Sequence, residues 1–281
     1  MMRKKPMLAY PVSDKPIDYS KPTFIQPKLD GVRCLIQLEN NVVTAYSRTG
    51  KKWKNIAHII MDLIPFFEKY PNVILDGELY NHDLKDDFEK IISLVRKTKP
   101  TDEDRVESAE MVQFHCYDTI MEHMSYDQRN EFINQALMLI PSVHIVDTIL
   151  MPTEVQAKDY HQANLNEGFE GSILRTNDIY KCGRSWSLRK FKDFSDAEAT
   201  IIGYVDGKVK REGTLGKFLM RDDDGIEFGC PPGKGYNYKD MKDMLDNIHD
   251  YIGQRATFTF FERTKANSYR HPLFKCIRNY E

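Results

Sequence analysis

The chain has 281 residues, of which 41% are hydrophobic and 29% charged, and its formal net charge at pH 7 is −2. This length allows one large domain or two of ordinary size, and the composition is that of a globular protein. A net charge so close to zero excludes nucleic-acid binding that depends on overall basicity. Any such binding must come from local patches.

The cysteines and the apolar runs narrow the class of protein further. The five cysteines are scattered and include no CxxC pair, which argues against a zinc site or a disulfide framework. No apolar run is long enough to span a membrane, and the N-terminal stretch MMRKKPMLAYPVSDKP lacks the apolar core of a secretory signal. We therefore expect a cytoplasmic protein that is neither secreted nor bound to a membrane.

The first predicted elements are strands beside Asp-Gly pairs. The pair at 30–31 lies between the apolar runs FIQPKL and VRCLIQL, which is typical of a tight hairpin turn. The pair at 76–77 divides NVIL from ELY, and the pairs at 206–207 and 224–225 also adjoin β-rich runs. Each pair is predicted to form a turn.

Helical patterns alternate with these strands. Apolar residues recur every three to four positions over 55–70 and 87–98, which predicts two amphipathic helices. Ser125 and Thr153 each precede a glutamine by three residues, the spacing of a capping box, so two more helices are predicted there. The stretch KDMKDMLDNIHDYI predicts a further helix.

The pattern of elements changes near residue 195. Residues 1–194 mix long helices with strands, whereas residues 195–281 contain short strands, Gly-rich turns and one helix. The sequence therefore predicts an α+β fold of two domains, an α+β domain over 1–194 and a small β-barrel domain over 195–281. The polar junction KDFSDAEA is a candidate hinge.

Several charged residues stand at the ends of the predicted strands. Lys28 and Arg33 flank the first Asp-Gly pair, Glu78 lies inside the apolar run LDGELY, and Glu170 lies between glycines. Taken singly, each is best explained as a solvated charge on an edge strand. Together they place several carboxylates and cations on strands of one domain, where charges on the inner face of a sheet need partners or ligands. A polyphosphate with a divalent metal would satisfy both signs.

The stretch SWSLRKFKDF adds two lysines to this set. In a strand, alternate residues point to the same face, so Lys190 and Lys192 are predicted to share one face and Phe191 to occupy the other. An amphipathic edge strand would show the same alternation. The alternation alone therefore does not establish a site.

The ordered set of these motifs is similar to the nucleotidyltransferase motifs of ATP-dependent DNA ligases. The set runs from residue 26 to residue 192 and consists of KLDGVR, SRTG, LDGELY, FHCYD, EGFEGSILR and LRKFK. The stretch DAEATIIGYVDGKVKREGTLGKFLM then resembles the start of the ligase oligonucleotide-binding (OB) domain. The opening KPMLA and the small size resemble compact bacteriophage and viral members. The resemblance implies an adenylation domain of antiparallel sheets and helices, followed by an OB-fold barrel.

The resemblance implies a reaction in three steps. The lysine of the KxDG motif, Lys28 here, attacks the α-phosphate of ATP and holds AMP covalently. AMP then passes to the 5′-phosphate at a nick in duplex DNA, and the 3′-hydroxyl displaces it. The attack needs a neutral amine, which the neighbouring cations Lys190 and Lys192 favour. Magnesium is the expected metal because its preference for oxygen ligands suits a triphosphate.

The resemblance also implies roles for the other motif residues. Asp30 is expected to act in catalysis with Lys28, Lys190 and Lys192, and to lie near the metal with Glu170. Arg175 closes its motif and is either functional or a structural salt-bridge partner. The nucleotide-binding set is Gln26 (adenine edge), Lys28, Arg33 and Arg48 (ribose or phosphate), Glu78 (ribose hydroxyls), Tyr117 (stacking on adenine), Glu170 (α-phosphate and metal), Lys190 and Lys192 (phosphate).

Contacts with DNA are expected from Arg48 and from the basic stretch GKVKREGTLGK. Its candidate residues are Lys208, Lys210, Arg211 and Lys217. A solvated hairpin is the alternative explanation for this stretch. Because Lys28 comes so early, we expect no DNA-binding domain before it. The expected partner is nicked duplex DNA, bound by a monomer, with an accessory replication or repair protein as a further candidate partner.

The C-terminus departs from the family pattern. The final family motif reads RxDK and orients pyrophosphate in the first step, whereas this chain ends in RHPLFKCIRNYE. The stretch keeps Arg270 and Arg278. We expect either that Arg278 and nearby cations such as Lys275 do this work, or that the first step is slower.

Two other enzymes share the implied architecture. An mRNA capping guanylyltransferase would use GTP and usually needs the intact final motif, and an RNA ligase commonly lacks this OB domain. A non-catalytic ligase scaffold that only binds nucleic acid is a third alternative. The run EATIIGYVDG directly after KFKDF favours a DNA ligase, with a role in DNA replication, repair or recombination.

Overall fold

The computed structural model describes residues 4–85, 87–151, 153–192, 194–233, 235–264 and 267–278. The chain divides into two compact units, residues 1–192 and residues 193–281. This division lies two residues from the domain boundary expected from the sequence.

The first unit contains ten strands and five α-helices within its described residues. The elements are β1 Met7–Pro11, β2 Thr23–Pro27, β3 Val32–Glu39, β4 Val42–Tyr46, α1 Ala57–Lys69, β5 Ile74–Tyr80, α2 Phe88–Val95, α3 Asp102–Met111, β6 Gln113–Thr119, α4 Tyr126–Leu137, β7 Val143–Ile145, β8 Ile149–Leu150, α5 Glu154–Asn166, β9 Ser172–Thr176 and β10 Gly183–Phe191.

The ten strands form two five-stranded sheets. Sheet A has the order β1-β10-β9-β2-β8, and sheet B has the order β4-β3-β5-β6-β7. The largest apolar core packs sheet B against α1, which contributes Ile59, Leu63 and Phe67. A smaller core joins residues of both sheets, such as Leu35 of β3 and Leu188 of β10. This second core lets both sheets contribute side chains to one site.

The Asp-Gly pair at 30–31 does not form the predicted hairpin. Strand β2 belongs to sheet A and β3 to sheet B, so the residues between them cross from one sheet to the other. A Cβ atom at Gly31 would lie 2.5 Å from the Leu79 carbonyl oxygen and 2.7 Å from Cγ of Glu78. Glycine is needed here because the crossing passes close to β5.

The two-residue hairpin in this region lies instead between β3 and β4. Asn40 and Asn41 have φ angles of 50° and 61°. These positive values match a type I′ turn, whose backbone twist suits two antiparallel strands and which asparagine tolerates.

The prediction of a turn at 76–77 was also wrong, because both residues lie inside β5. The Asp76 side chain is fully buried and bonded within the unit, and Gly77 allows β6 to approach. A Cβ atom at Gly77 would lie 2.4 Å from the His115 carbonyl oxygen. Pairing with strands on both sides thus outweighs the local preference of Asp-Gly for turns.

The helix predictions over 55–70 and 87–98 are confirmed by α1 and α2. Ser125 and Thr153 cap α4 and α5 as predicted. Helix α3 was missed, because its sequence DEDRVESAEM has almost no apolar periodicity. Its N-cap residue Thr101 forms a capping box with Asp104, a signal that was readable from the sequence. Among the helices described, none is long and apolar enough to cross a membrane.

The second unit contains seven strands and one α-helix within its described residues. The elements are β11 Ser195–Asp206, β12 Leu215–Arg221, β13 Glu227–Cys230, α6 Tyr238–Asp246, β14 Arg255–Phe260, β15 Glu262–Arg263, β16 Tyr269–Arg270 and β17 Leu273–Ile277.

Five of these strands form an antiparallel sheet that closes on itself. The order is β13-β12-β11-β14-β17. The N–H of Phe274 donates to the Pro231 carbonyl at 2.8 Å, and the N–H of Gly233 donates to the Phe274 carbonyl at 2.9 Å. These bonds join β17 to the segment after β13, which gives the predicted barrel. Asp206 is the last residue of β11 and Gly207 follows it. The Asp-Gly pair at 224–225 lies between β12 and β13, as predicted.

Candidate active site

Lys28 lies where the chain leaves sheet A. Its N–H donates to the Gly171 carbonyl at 2.9 Å, and its own carbonyl accepts the N–H of Glu170 at 3.0 Å. Its Nζ forms an ion pair with the Glu170 carboxylate. One fifth of the Lys28 side chain remains exposed. Backbone bonding therefore holds two residues that are 142 positions apart against each other.

Glu170 serves two lysines at once. Its side chain is 6% exposed, and its two carboxylate oxygens pair separately with Lys28 and Lys192. Lys190 lies in β10 opposite Ile173 of β9. Between the two lysines, Phe191 stacks on His161 at 3.7 Å, which agrees with the predicted alternation. Two cations on one buried carboxylate leave an excess of positive charge suited to a phosphate.

Sheet B contributes Glu78 and Tyr117. Glu78 pairs across the strands with Arg33 of β3 and His115 of β6. The Tyr117 hydroxyl donates to Oε2 of Glu78 at 3.1 Å. Burial raises the pKa of Glu78 to about 7, and Arg33, Lys28 and the Tyr117 hydroxyl oppose this rise. Leu29, which follows Lys28, packs in one apolar cluster with Tyr117 of sheet B and with Phe169, which precedes Glu170, so residues of the two sheets meet at one place.

Arg33 is anchored by Asp76, which the sequence had predicted to lie in a turn. Its Nε and Nη2 donate to the two oxygens of Asp76, both at 2.6 Å, and Nη2 also donates to the Met7 carbonyl at 3.1 Å. The Tyr180 hydroxyl donates to Asp76 at 2.6 Å. The Arg33 guanidinium lies 5.1 Å from the centre of the Tyr117 ring. Asp76 and Tyr180 therefore position Arg33 beside the expected adenine-stacking residue.

A second buried network supports Gln26. The Gln26 side chain is 1% exposed, and its carbonyl oxygen accepts Nε of Arg175 at 2.7 Å. Asp118 is fully buried and pairs with both Arg129 and Arg175 at 2.7 Å. Arg175 is therefore a structural salt-bridge partner, which was one of its two interpretations. The role of Gln26 at the adenine edge stays a prediction.

The expected DNA-binding residues lie on exposed segments. Arg48 is exposed in the turn after β4 and forms no ion pair within the described part of the chain. Lys208, Lys210 and Arg211 are exposed around a short 3-10 helix, Val209–Arg211, and Lys217 is exposed on β12. Their contact with DNA stays a prediction.

The cations expected to take over the work of the final motif interact with acidic residues of the second unit. Lys275 pairs with Asp196 at 2.6 Å, and Arg278 pairs with Glu198. Arg270 pairs in register with Glu262 in the small hairpin β15–β16. Asn279, Tyr280 and Glu281 lie outside the described residues.

The donor set suits a metal ion that arrives with its substrate. No cluster of three or more His, Cys, Asp or Glu side chains that could hold a metal occurs in the described residues. Magnesium commonly binds through one or two carboxylates together with substrate phosphates and water. Half-buried Asp30 lies two residues after Lys28, and Glu170 is already paired with two lysines. These two carboxylates fit an ion brought in by a triphosphate.

Comparison with known proteins identifies the family. The family model described as "ATP dependent DNA ligase domain" matches residues 6–192, and the model described as "DNA ligase OB-like domain" matches residues 206–278. The first match alone covers more than half of the chain. The chain belongs to the ATP-dependent DNA ligase family. The predicted fold, an adenylation domain followed by an OB-fold domain, is thereby confirmed.

Curated DNA ligases resemble the chain over most of its length. The DNA ligase of Nitrosopumilus maritimus is 20% identical over 249 residues, which cover 82% of this chain and 42% of that protein. The DNA ligase of Enterobacteria phage T6 is 24% identical, and the match covers 83% of this chain and 58% of that protein. The chain thus spans about half the length of these relatives.

Solved DNA ligase structures share the fold. A structure from a study of Lig E DNA ligases has a TM-score of 0.79 and 24% identity, and the match covers 99% of this chain and all of that one. The Chlorella virus DNA ligase-adenylate has a TM-score of 0.51 and 25% identity, and the match covers 99% of both chains. The fold of this ligase-family chain is therefore one already known among DNA ligases.

Proposed function

We propose that the chain is an ATP-dependent DNA ligase that joins a 5′-phosphate and a 3′-hydroxyl at a nick in duplex DNA. The observation that carries this proposal is the meeting of Lys28, Glu170 and Lys192 with Glu78 and Tyr117. The first three come from the ends of sheet A, and the other two from the middle of sheet B. Family membership supports the same conclusion and favours a DNA ligase over an RNA ligase or a capping guanylyltransferase.

Lys28 is the nucleophile of the first step. Its Nζ forms a bond to the α-phosphorus of ATP while the bond to pyrophosphate breaks. Glu170 contacts Nζ and accepts its proton, which frees the lone pair for attack. Lys190 and Lys192 neutralise the charge on the α-phosphate. In-line substitution at phosphorus depends mainly on such positioning and charge stabilisation.

The adenosine part of ATP binds against sheet B. Tyr117 stacks on adenine, and the Glu78 carboxylate accepts hydrogen bonds from the ribose hydroxyls. The hydrogen bond between these two side chains fixes their spacing. Gln26 contacts the adenine edge, and Arg33 and Arg48 contact ribose or phosphate.

Magnesium would be held by Asp30, Glu170 and the phosphates of the substrate. It would supply charge neutralisation at the triphosphate, which suits a metal with hard oxygen ligands. Asp30 is well placed for this because it follows Lys28 on the crossing between the sheets.

The same proposal covers the organisation and partners of the enzyme. Residues 1–194 form the adenylation domain and residues 195–281 the OB-fold domain. Nicked duplex DNA is bound by a monomer through Arg48, Lys208, Lys210, Arg211 and Lys217. An accessory replication or repair protein is a further partner, and the setting is the cytoplasm.

The proposed ligase function is tested by following a labelled α-phosphate from the nucleotide to the protein and then to DNA. The protein is incubated with magnesium and ATP or GTP labelled at the α-phosphate, and then with a singly nicked duplex. We expect an acid-labile label from ATP that passes into sealed DNA. Lys28→Ala should take up no label and seal no phosphorylated nick, while retaining part of the sealing of a pre-adenylated nick. Lys99→Ala, which changes an exposed lysine, is the control.

Two results would contradict the proposal. Sealing by Lys28→Ala at the rate of the unmodified protein would remove Lys28 from the mechanism. Label from GTP alone would assign the chain to capping chemistry.

A further inference from the structure

A cationic cleft lies at the end of sheet A that is remote from Lys28. Strands β2 and β9 are antiparallel, so the C-terminal end of β2 lies beside the N-terminal end of β9. Lys28 and Glu170 lie at these two ends. At the other ends, the N–H of Asn177 donates to the Pro22 carbonyl at 3.0 Å. With a rise of about 3.3 Å per residue along an extended chain, Lys21 lies on the order of 20 Å from Lys28. The cleft is therefore separate from the proposed nucleotide site.

Three cations and two carboxylates line the cleft, and both carboxylates accept hydrogen bonds from neighbouring hydroxyls. The cleft has a volume of about 420 Å³ and is lined by Lys15, Lys21 and Arg189. Asp18 and Asp178 also line it. The hydroxyl of Ser20 donates to Asp18 at 2.6 Å, and the hydroxyls of Thr176 and Ser187 donate to Asp178 at 2.6 and 2.8 Å. The three cations therefore outnumber the two lining carboxylates by one charge, and Asp14 lies close enough to Arg189 to act on its charge.

Arg189 is a buried cation whose hydrogen-bonding capacity is not filled. The residue is 3% exposed, and its Nη2 donates to the Lys15 carbonyl. Its Nε is buried and has no acceptor among the described residues. Burial lowers the pKa of Arg189, and the charge of Asp14 opposes this effect. A buried guanidinium without a contacting carboxylate is unfavourable, so an anion in the cleft would stabilise it.

Aromatic rings hold this guanidinium in place. It lies 4.6 Å from the centre of the Trp186 ring, and Tyr10 stacks on Trp186 with 3.8 Å between ring centres and 9° between planes. Arg184 lies 5.3 Å from the Tyr10 ring. Because these contacts fix the Arg189 guanidinium before a ligand arrives, the side chain loses little conformational freedom on binding.

We propose that this cleft binds a backbone phosphate of the DNA strand beside the nick. The proposal rests on the proposed ligase function. A fixed guanidinium with two flexible lysines matches the geometry and charge of a phosphate. At 3.4 Å per nucleotide along one strand, a distance of about 20 Å corresponds to roughly six nucleotides. A free phosphate offers the same chemistry and is the other source that the test must distinguish.

The test measures the affinity for nicked duplex at several salt concentrations. The double variant Lys15→Ala/Lys21→Ala removes two exposed cations from the cleft, and Lys54→Ala/Lys99→Ala removes two exposed cations elsewhere. For a nick with long arms, the slope of log K against log salt should become shallower by about 1 in the first variant only, because one phosphate contact is lost. With both arms shortened to about four base pairs, the DNA no longer reaches the cleft, which lies roughly six nucleotides from Lys28. The first variant should then show the same salt slope as the unmodified protein.

Adenylation and phosphate binding complete the test. The first variant should form enzyme-AMP at the rate of the unmodified protein, because the cleft is remote from Lys28. Failure of the unmodified protein to form enzyme-AMP would count against the ligase function and not against the cleft. Equal salt slopes in both variants would overturn the DNA assignment. If inorganic phosphate then raised the Tm of the unmodified protein but not of the first variant, the ligand would be a free phosphate. If it raised neither, the cleft would bind no phosphate.

Discussion

Glu170 holds Lys28 through its backbone and its side chain together. The N–H of Glu170 donates to the Lys28 carbonyl at 3.0 Å, and the Glu170 carboxylate pairs with the lysine Nζ. These backbone bonds fix the distance between the segments around residues 28 and 170, which keeps the two side chains in contact. Lys28, the proposed nucleophile, is thereby positioned before a nucleotide binds.

This relationship predicts the effect of Glu170→Gln. The amide removes the proton acceptor at Nζ and weakens the hold on Lys28 and Lys192. We expect the rate of enzyme-AMP formation to fall roughly 10²- to 10⁴-fold, the usual range for loss of an acid-base group. Glu167→Gln, at an exposed position on the same loop, should have no effect. A normal rate in Glu170→Gln would show that the carboxylate takes no part in the first step.

The raised pKa of Glu78 predicts a pH dependence. If the carboxylate form binds ribose, the apparent affinity for ATP should increase as pH rises through about 7. Tyr117→Phe removes a hydrogen bond that lowers the pKa of Glu78, so the midpoint should move to higher pH. The measurement is ATP binding as a function of pH for both proteins. A midpoint that stays in place or moves downward would contradict this assignment.

The raised pKa of Glu78 also predicts that replacing this carboxylate stabilises the fold at high pH. The pKa of Glu78 rises from 4.5 to about 7 in the folded protein, so the folded state binds the proton more tightly. The contribution of Glu78 to the free energy of unfolding therefore decreases as pH rises through this window. Glu78→Gln should raise the Tm at pH 8 by about 2–4 °C, a shift that corresponds to roughly 1 kcal/mol. A lower Tm at pH 8 would show that the charged carboxylate is stabilised in the fold.

Gly31→Ala tests the close crossing between the sheets. The new methyl group would clash with the Leu79 carbonyl and with Cγ of Glu78, so we expect a loss of about 1–3 kcal/mol in the free energy of unfolding. Displacement of Glu78 should also weaken ATP binding. Gly203→Ala is the matched control, because its nearest atom would be 3.5 Å away, at ordinary contact distance. Denaturant unfolding of both variants would show equal stability if the crossing were loose.

Asp118→Asn tests the buried network behind Gln26. The amide would leave Arg129 and Arg175 without their shared carboxylate, and breaking a buried pair of this kind costs about 3–5 kcal/mol. Glu131→Gln, at an exposed position on α4, should change the free energy of unfolding by less than about 0.5 kcal/mol. Similar unfolding curves for the two variants would mean that the network adds little to stability.

The basic stretch of the second unit predicts a change in DNA binding alone. Replacing Lys208, Lys210 and Arg211 by alanine should lower the slope of log K against log salt by about 3, since each residue would contact one phosphate. Enzyme-AMP formation should stay unchanged. An unchanged slope would support the alternative explanation, a solvated loop.

The sequence predicted the elements whose signals are local. Apolar periodicity indicated α1 and α2, and the glutamines that follow Ser125 and Thr153 indicated where α4 and α5 begin. These features depend on residues a few positions apart, which the chain carries with it wherever it folds. The resemblance carried by the order of the motifs likewise predicted the candidate site residues, whose roles stay predictions.

Only the tertiary structure decided what the Asp-Gly pairs do. The pair at 30–31 crosses between two sheets, and the pair at 76–77 lies inside a central strand, where Asp76 anchors Arg33. A turn and a buried strand interior are equally compatible with these two residues until their neighbours are known. The partners that exclude the turn, such as Tyr180 for Asp76, lie about a hundred residues away in the chain.

The sequence by itself therefore determined the family, the fold class and the identity of the candidate site residues. The tertiary structure decided their contacts: Lys28 and Lys192 on one carboxylate, Glu78 bonded to Tyr117, and Arg189 buried beside Trp186. The physical reason is that charge, burial and hydrogen bonding act between residues close in space. Strand pairing brings such residues together over long separations, which a local pattern does not encode.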